Sequence, residues 1–215
     1  MMDLVLDHAF ILVEEKAKVA DLLVSLGMQE SFSRDHKGQG TSNRRFLFSN
    51  GMLEFLWVRD ADEATQGPGR DLRFPERAIS SAASPFGVIL HRKNPLDLEM
   101  PFDGWKYQPD YFDIPRAFHV GNNSNSLQEP LCFYAPFITS GVPAVGVGGG
   151  AFKSITQVQI YTSADPVSRT LAVASTADRL SIEPGDQHLM VVTLDCHQQG
   201  STKDFRPDIP LILHW

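Results

Sequence analysis

The chain has 215 residues, 42% of them hydrophobic, with a formal net charge of -7, enough apolar content for one large domain or two small ones around a sizeable core. The negative balance, with no clustered basic patch, excludes a nucleic-acid-binding surface, and no run approaches the roughly 20 apolar residues of a membrane span. Acids at Asp3 and Asp7 with no basic segment before an apolar run argue against a signal peptide, and the widely separated Cys132 and Cys196 read as reduced thiols in the cytoplasm.

Residues 6–13, Leu-Asp-His-Ala-Phe-Ile-Leu-Val, read as a buried strand. A two-residue period places Leu6, His8, Phe10 and Leu12 on one face and Asp7, Ala9, Ile11 and Val13 on the other. An imidazole among branched side chains must find a partner. Either it satisfies a hydrogen bond in the core, or it faces a cavity.

Residues 14–26 carry apolar side chains at three- and four-residue spacing and read as an amphipathic helix, with Gly27 placed to cap it. Residues 28–36 resemble a short strand and 36–40 a flexible turn. Residues 45–48 and 52–58 read as strands joined by the hairpin signal Ser49-Asn-Gly51. Residues 60–84, charged and rich in small residues, read as a surface excursion with a short helix at 74–80. Strands follow at 86–91, 117–120 and 131–137, around an irregular aromatic and proline-rich stretch at 95–115. Gly146 and Gly148 to Gly150 precede a strand rather than open a helix, so they suit a flexible connection better than a phosphate cradle. The pattern then restarts: a strand at 154–162, a helix at 165–176 with Pro166 in its first turn, and strands at 180–182, 189–194 and 209–215.

Strand, helix, strand, strand, strand therefore occurs twice. The fold class is α+β, one domain of 215 residues with a first module at 1–60, an insertion with extra strands at 61–153, and a second module at 154–215.

Asp7-His8 in the first strand, Gly40-Thr-Ser-Asn43 before the third and Met52-Leu-Glu-Phe-Leu56 in the fourth resemble the glyoxalase-like branch of the vicinal-oxygen-chelate superfamily. The likeness is clearest over residues 6–60 and looser over 154–215, while Ser84-Pro-Phe-Gly-Val88 through Tyr111 is similar to a subgroup of uncharacterised members. The resemblance implies paired βαβββ modules whose sheets form open half-barrels around a divalent metal. It also implies ligands from the first and fourth strands of each module, which are His8 and Glu54 here, and pairing as a homodimer. Alternation independently sets Glu54 between Met52 and Leu56 on an apolar face, where a carboxylate is costly without a cation or several donors. Aligning the helix starts sets Gln157 opposite His8 as a third, oxygen ligand. A mixed N and O set suits Zn, Mn, Fe, Ni or Mg.

The expected activity is small-molecule chemistry of lyase, isomerase or dioxygenase type, with Glu54 moving a proton. The alternative is a metal-free protein that sequesters a small molecule in the same cavity. Thr41, Ser42 and Asn43 either present polar groups at the cavity mouth, beside Arg44 or Arg45 for a substrate carboxylate or phosphate, or simply form a turn. Trp105, with Tyr107 and Tyr111, walls an apolar pocket or packs within its own loop. His91 and His214 are the remaining candidates to complete the site, against plain edge positions.

Overall fold

The computed structural model describes residues 3–94, 96, 97, 99–138 and 150–215. It is a mixed α+β structure with an eight-stranded and a five-stranded sheet. The first strands are β1 (Leu4–Leu12), β2 (Arg34–His36), β3 (Thr41–Phe48) and β4 (Gly51–Val58), with helix α1 (Val19–Ser25) between β1 and β2. Gly27 follows α1 at φ 92°, the left-handed conformation that ends a helix without a Cβ penalty. The helix is shorter than its apolar period suggests, because Lys16 and Ala17 also take positive φ and break the first turn.

Two short helices, α2 (Ala61–Gln66) and α3 (Phe74–Ile79), precede β5 (Phe86–Arg92), β6 (Gly104–Tyr107), β7 (Phe118–Gly121) and β8 (Leu131–Tyr134). The sheet order is β2-β3-β4-β1-β5-β8-β7-β6. Strand β1 runs parallel to β4 and antiparallel to β5, and β5 runs parallel to β8. The remaining neighbours in both halves are antiparallel. The sets β1–β4 and β5–β8 thus share one internal order and one pattern of directions.

The sequence expects the partner of the first module in residues 154–215. That stretch folds into the expected strands and helix, β9 (Ile155–Thr162), α4 (Arg169–Ala174), β10 (Leu180–Pro184), β11 (Leu189–Leu194) and β13 (Leu211–His214), with a short extra strand β12 (Thr202–Asp204). Its strands form a separate sheet, ordered β10-β9-β11-β13-β12. The physical reason is that the free edge of β1 is already taken by β5, from Leu4 opposite Arg92 to Ile11 opposite Phe86. Helix α4 starts after Pro166, where the Ser168 hydroxyl caps it by accepting the Leu171 N–H at 3.3 Å. The glycines from Gly146 to Gly149 lie outside the described residues.

One face of the large sheet, through Ala9, Ile11, Phe46, Phe55, Val88 and Leu90, packs on α1, α4 and the second sheet. The other face carries a smaller core of Phe10, Leu12, Leu56, Ile89, Leu131 and Phe133, covered by Leu72 and Phe74. The stretch expected as a surface excursion therefore roofs half of the sheet. Arg77 holds it down. Its guanidinium donates to the carbonyls of Ser84, Leu127, Glu129, Ser124 and Ser126 at 2.8–3.3 Å.

The two sheets are also joined by polar contacts. The Asn50 side chain, in the β3–β4 turn, donates to the Ile155 carbonyl and accepts the Ile155 N–H, both at 2.9 Å. Arg179 donates to the carbonyls of Asn50 at 2.7 Å and Leu6 at 2.9 Å.

Candidate functional site

The site begins with an irregularity in β1. The register against β5 shifts between Leu6 and His8, so Leu6 faces Leu90 and His8 faces Ile89, with Asp7 as the extra residue. Such a bulge breaks the two-residue alternation and re-aims a side chain. Leu6 consequently joins Ala9 and Ile11 in the core between the sheets, whereas His8 and Phe10 line a cavity on the opposite face. The face shared by Leu6 and His8, expected from strict alternation, is therefore not formed. The bulge also brings neighbouring side chains together: His8 Nδ1 lies 2.5 Å from Asp7 Oδ2.

Glu54 sits mid-strand in β4, opposite Phe10 on one side and Arg45 on the other. It is only 6% exposed, a position that demands compensation. Asn43, two residues from Arg45 on the same face of β3, donates its side-chain N–H to Glu54 Oε1. Two imidazoles face the same carboxylate: His8 Nε2 is 3.8 Å from Oε2 and His36 Nε2 is 3.9 Å from Oε1.

A buried relay supports the second imidazole. The Gln39 carbonyl accepts from the Tyr107 and Tyr111 hydroxyls at 2.9 and 3.2 Å, which turns its amide N–H toward Thr41 Oγ1 at 2.7 Å. Thr41 Oγ1 lies 3.0 Å from His36 Nδ1. With Gln39 donating to it, the Thr41 hydroxyl is left to donate to Nδ1, and His36 then carries its proton on Nε2, toward Glu54.

Burial pulls both imidazoles toward the neutral form, with opposite outcomes. For His8, the hydrogen bond to Asp7 and the charges of Asp7 and Glu54 more than offset burial, and its pKa is raised. For His36, burial prevails over Glu54, aided by Arg34, Arg45 and His8, and its pKa is lowered. Burial acts to raise the Asp7 pKa, but the contacts with His8 lead a set that leaves it lowered. One cavity thus holds a histidine of raised pKa and one of lowered pKa on either side of one carboxylate.

The cavity measures about 190 Å³ and combines His8, His36, Arg34, Arg45, Glu54 and Gln39 with an apolar wall. That wall contains Phe10, Phe74, Phe112, Phe118, Phe133 and Phe137. Ring centroids of Phe112 and Phe118, Phe112 and Phe137, and Phe118 and Phe133 are 5.1, 5.2 and 5.5 Å apart, the range of tilted and edge-to-face contacts. A larger groove of about 720 Å³ runs between α1 and residues 203–209, lined largely by solvated charges such as Lys18, Asp21 and Lys203. The smaller cavity is the better site because its polar groups are buried and converge.

Of the residues singled out from the sequence, His8, Glu54 and Arg45 line this cavity together. Asn43 lies behind Glu54, fully buried, and positions it. Trp105 is on the edge strand β6, where its indole N–H donates to Ser124 Oγ at 3.2 Å, and it does not line the cavity. Gln157 is on β9 of the other sheet, paired with Thr193. His91 Nδ1 lies 3.0 Å from the Arg92 carbonyl, and His214 Nδ1 2.8 Å from the Thr202 hydroxyl. Tyr111, one of the aromatics singled out, lines the cavity, whereas Arg34, His36 and Gln39 escape the sequence reading because residues 28–36 carry a short pattern and 36–40 look like a free turn. Their signal was the alternation of Arg34 and His36, two polar residues sharing one face of β2.

Of the three donors expected for a divalent ion, His8 and Glu54 share the cavity and Gln157 does not. Gln157 is on another sheet, and the strands facing His8 contribute Ile89 and, beside it, Phe133, both apolar. Among the described residues, no three His, Cys, Asp or Glu side chains are grouped to hold an ion. No helix among them is long and apolar enough to cross a membrane.

No family model matches the chain, and no curated protein matches it. The crystal structure of a hypothetical protein from Staphylococcus aureus is similar in fold, with a TM-score of 0.57 at 12% identity over 98% of this chain and 99% of that one. At that identity the likeness speaks for the fold alone.

Proposed function

We propose that the protein is a glyoxalase-like enzyme that moves a proton on a small oxygenated molecule, with His8 as general base and Glu54 beside it. The shared order and directions of β1–β4 and β5–β8 support reading them as paired modules of vicinal-oxygen-chelate type, with residues 86–134 rather than 154–215 as the second member. The observation that carries the chemistry is the Asp7–His8 pair at 2.5 Å with the far imidazole nitrogen facing the cavity. Asp7 fixes the tautomer with the proton on Nδ1, so Nε2 is the basic atom. When Nε2 takes a proton from a carbon next to a carbonyl, the imidazolium lies between the carboxylates of Asp7 and Glu54. Arg45 stabilises the negative charge that develops on the substrate oxygen.

The test is solvent exchange. The protein is incubated with a panel of small ketones and 2-oxo acids in deuterated water and followed by proton NMR. Deuterium enters next to the carbonyl with the native chain, and His8→Asn and Glu54→Gln slow it by about 100-fold or more. No exchange across the panel, or exchange indifferent to both substitutions, sinks the proposal. A second reading, binding without turnover, is favoured by the six phenylalanines of the wall, and it predicts thermal stabilisation by ligands with no exchange.

A further inference from the structure

Two arginines in the cavity lack an ion-pair partner among the described residues. Arg34 and Arg45 both line it, and among the described residues neither forms an ion pair, although Glu54 is directly opposite Arg45 in the β3–β4 register. Asn43 has taken one oxygen of Glu54, and Arg45 has turned its Nε to the Phe32 carbonyl at 2.9 Å. This leaves Arg45 Nη2 buried with no hydrogen-bond partner, a costly state for a guanidinium N–H. Arg44, the next residue on the other face of the strand, behaves differently. It is held by Glu30 at 2.6 Å and Asp21 at 2.9 Å. The chain supplies carboxylates to the arginine it uses as structure and withholds them from the two at the cavity.

Both guanidinium groups also gather around one ring. Arg45 lies 3.6 Å and Arg34 5.8 Å from the centre of Phe32, a residue 61% exposed. Both cavity-lining arginines therefore reach a ring at the protein surface. We propose that the site takes a small monocarboxylic acid with a flat apolar body, its carboxylate bridging Arg45 and Arg34 and its body against Phe112, Phe118, Phe133 and Phe137. This names the substrate class of the site described above and rests on that site being a ligand cavity. A single carboxylate, added to Glu54, balances the two guanidinium groups, whereas a dianion overshoots them. The volume of about 190 Å³ lies below the roughly 300–1,000 Å³ of drug-sized pockets, which restricts the body to about one ring. Guanidinium recognises carboxylate through paired, charge-assisted hydrogen bonds, and Arg45 Nη2 has no partner within the protein.

The experiment uses phenylacetate and its neutral counterpart phenylacetamide as probes on the full chain, by calorimetry and thermal shift. Phenylacetate binds at least about tenfold more tightly than the amide. Arg45→Met and Arg34→Met each remove at least about tenfold of that affinity and weaken amide binding by less. Arg45→Lys, which keeps the charge and loses the fork, falls between. Should Arg45→Met not fold, Arg34→Met on the short outer strand carries the comparison. Equal affinity for acid and amide, or undiminished acid binding in the arginine variants that fold, overturns the assignment. Solvent exchange is scored separately. Acid binding without exchange removes the proton-transfer reading and keeps this one, and exchange on neutral ketones without acid binding does the reverse.

Discussion

The carboxylate of Asp7 lies 2.5 Å from Nδ1 of His8, a contact between chain neighbours that a regular strand would point to opposite faces. It exists because the register of β1 slips there. The slip supplies both the direction of the imidazole and its basicity.

Replacing Asp7 by Asn keeps the shape of this pair and removes its charge. The His8 titration midpoint, followed by NMR of the ring protons, falls from its raised position. Solvent exchange drops by about 100-fold or more, because the tautomer is no longer fixed and the imidazolium loses a partner. An unchanged midpoint would show that Asp7 does not set the basicity.

The two cavity histidines give stability opposite dependences on pH. His36 has a lowered pKa, so the unfolded chain binds more protons below the ordinary histidine value near 6.5, and stability declines as pH falls through that region. His8 has a raised pKa, so its contribution is fully present below about 6.5 and is lost as pH rises through its folded value. Urea midpoints recorded between about pH 5 and 8 should flatten on the acid side in His36→Asn and on the alkaline side in His8→Asn. The reverse assignment would refute the account of the two environments.

Gly87 is the floor under Phe10. A Cβ at this position would meet three Phe10 ring atoms at 2.1–2.9 Å, so Gly87→Ala pushes the ring into the cavity. Overpacking of this kind costs about 1–3 kcal/mol. Denaturant unfolding measures the loss, and phenylacetate affinity falls with it. A variant of native stability and affinity would show that the Phe10 ring moves freely.

Arg77 illustrates a purely structural use of the same side chain. Arg77→Met leaves five carbonyls without their donor and destabilises the protein by about 3 kcal/mol, at the upper end of ordinary single substitutions. Its fast amide exchange concentrates in α3 and residues 124–129. A loss spread evenly over the molecule would contradict that local role.

Much of the molecule was legible from period and punctuation. The strand containing His8, the hairpin at Asn50-Gly51, the short helix at Phe74 and the shared face of Met52, Glu54 and Leu56 all follow from rules that act over a few residues. The arrangement of strands did not. Nothing local distinguishes β5, which takes the edge of β1, from β9, which opens another sheet, and Gln157 was misplaced as a result. The bulge at Asp7 was equally silent, since one extra residue in a strand leaves composition untouched. His36 was hidden because a three-residue strand carries too little pattern to separate from the turn after it.

Arg179 reaches from the second sheet to the carbonyl of Leu6, the residue just before the slip in β1, and to that of Asn50 at the tip of the β3–β4 hairpin. The aim of the His8 imidazole is thus braced by a side chain that does not line the cavity. A substitution there would act as a remote tuning of reactivity: turnover would change while the cavity wall kept every one of its residues. The C-terminal sheet thus supports the proposed site from behind, as the frame against which the bulge in β1 is held in line.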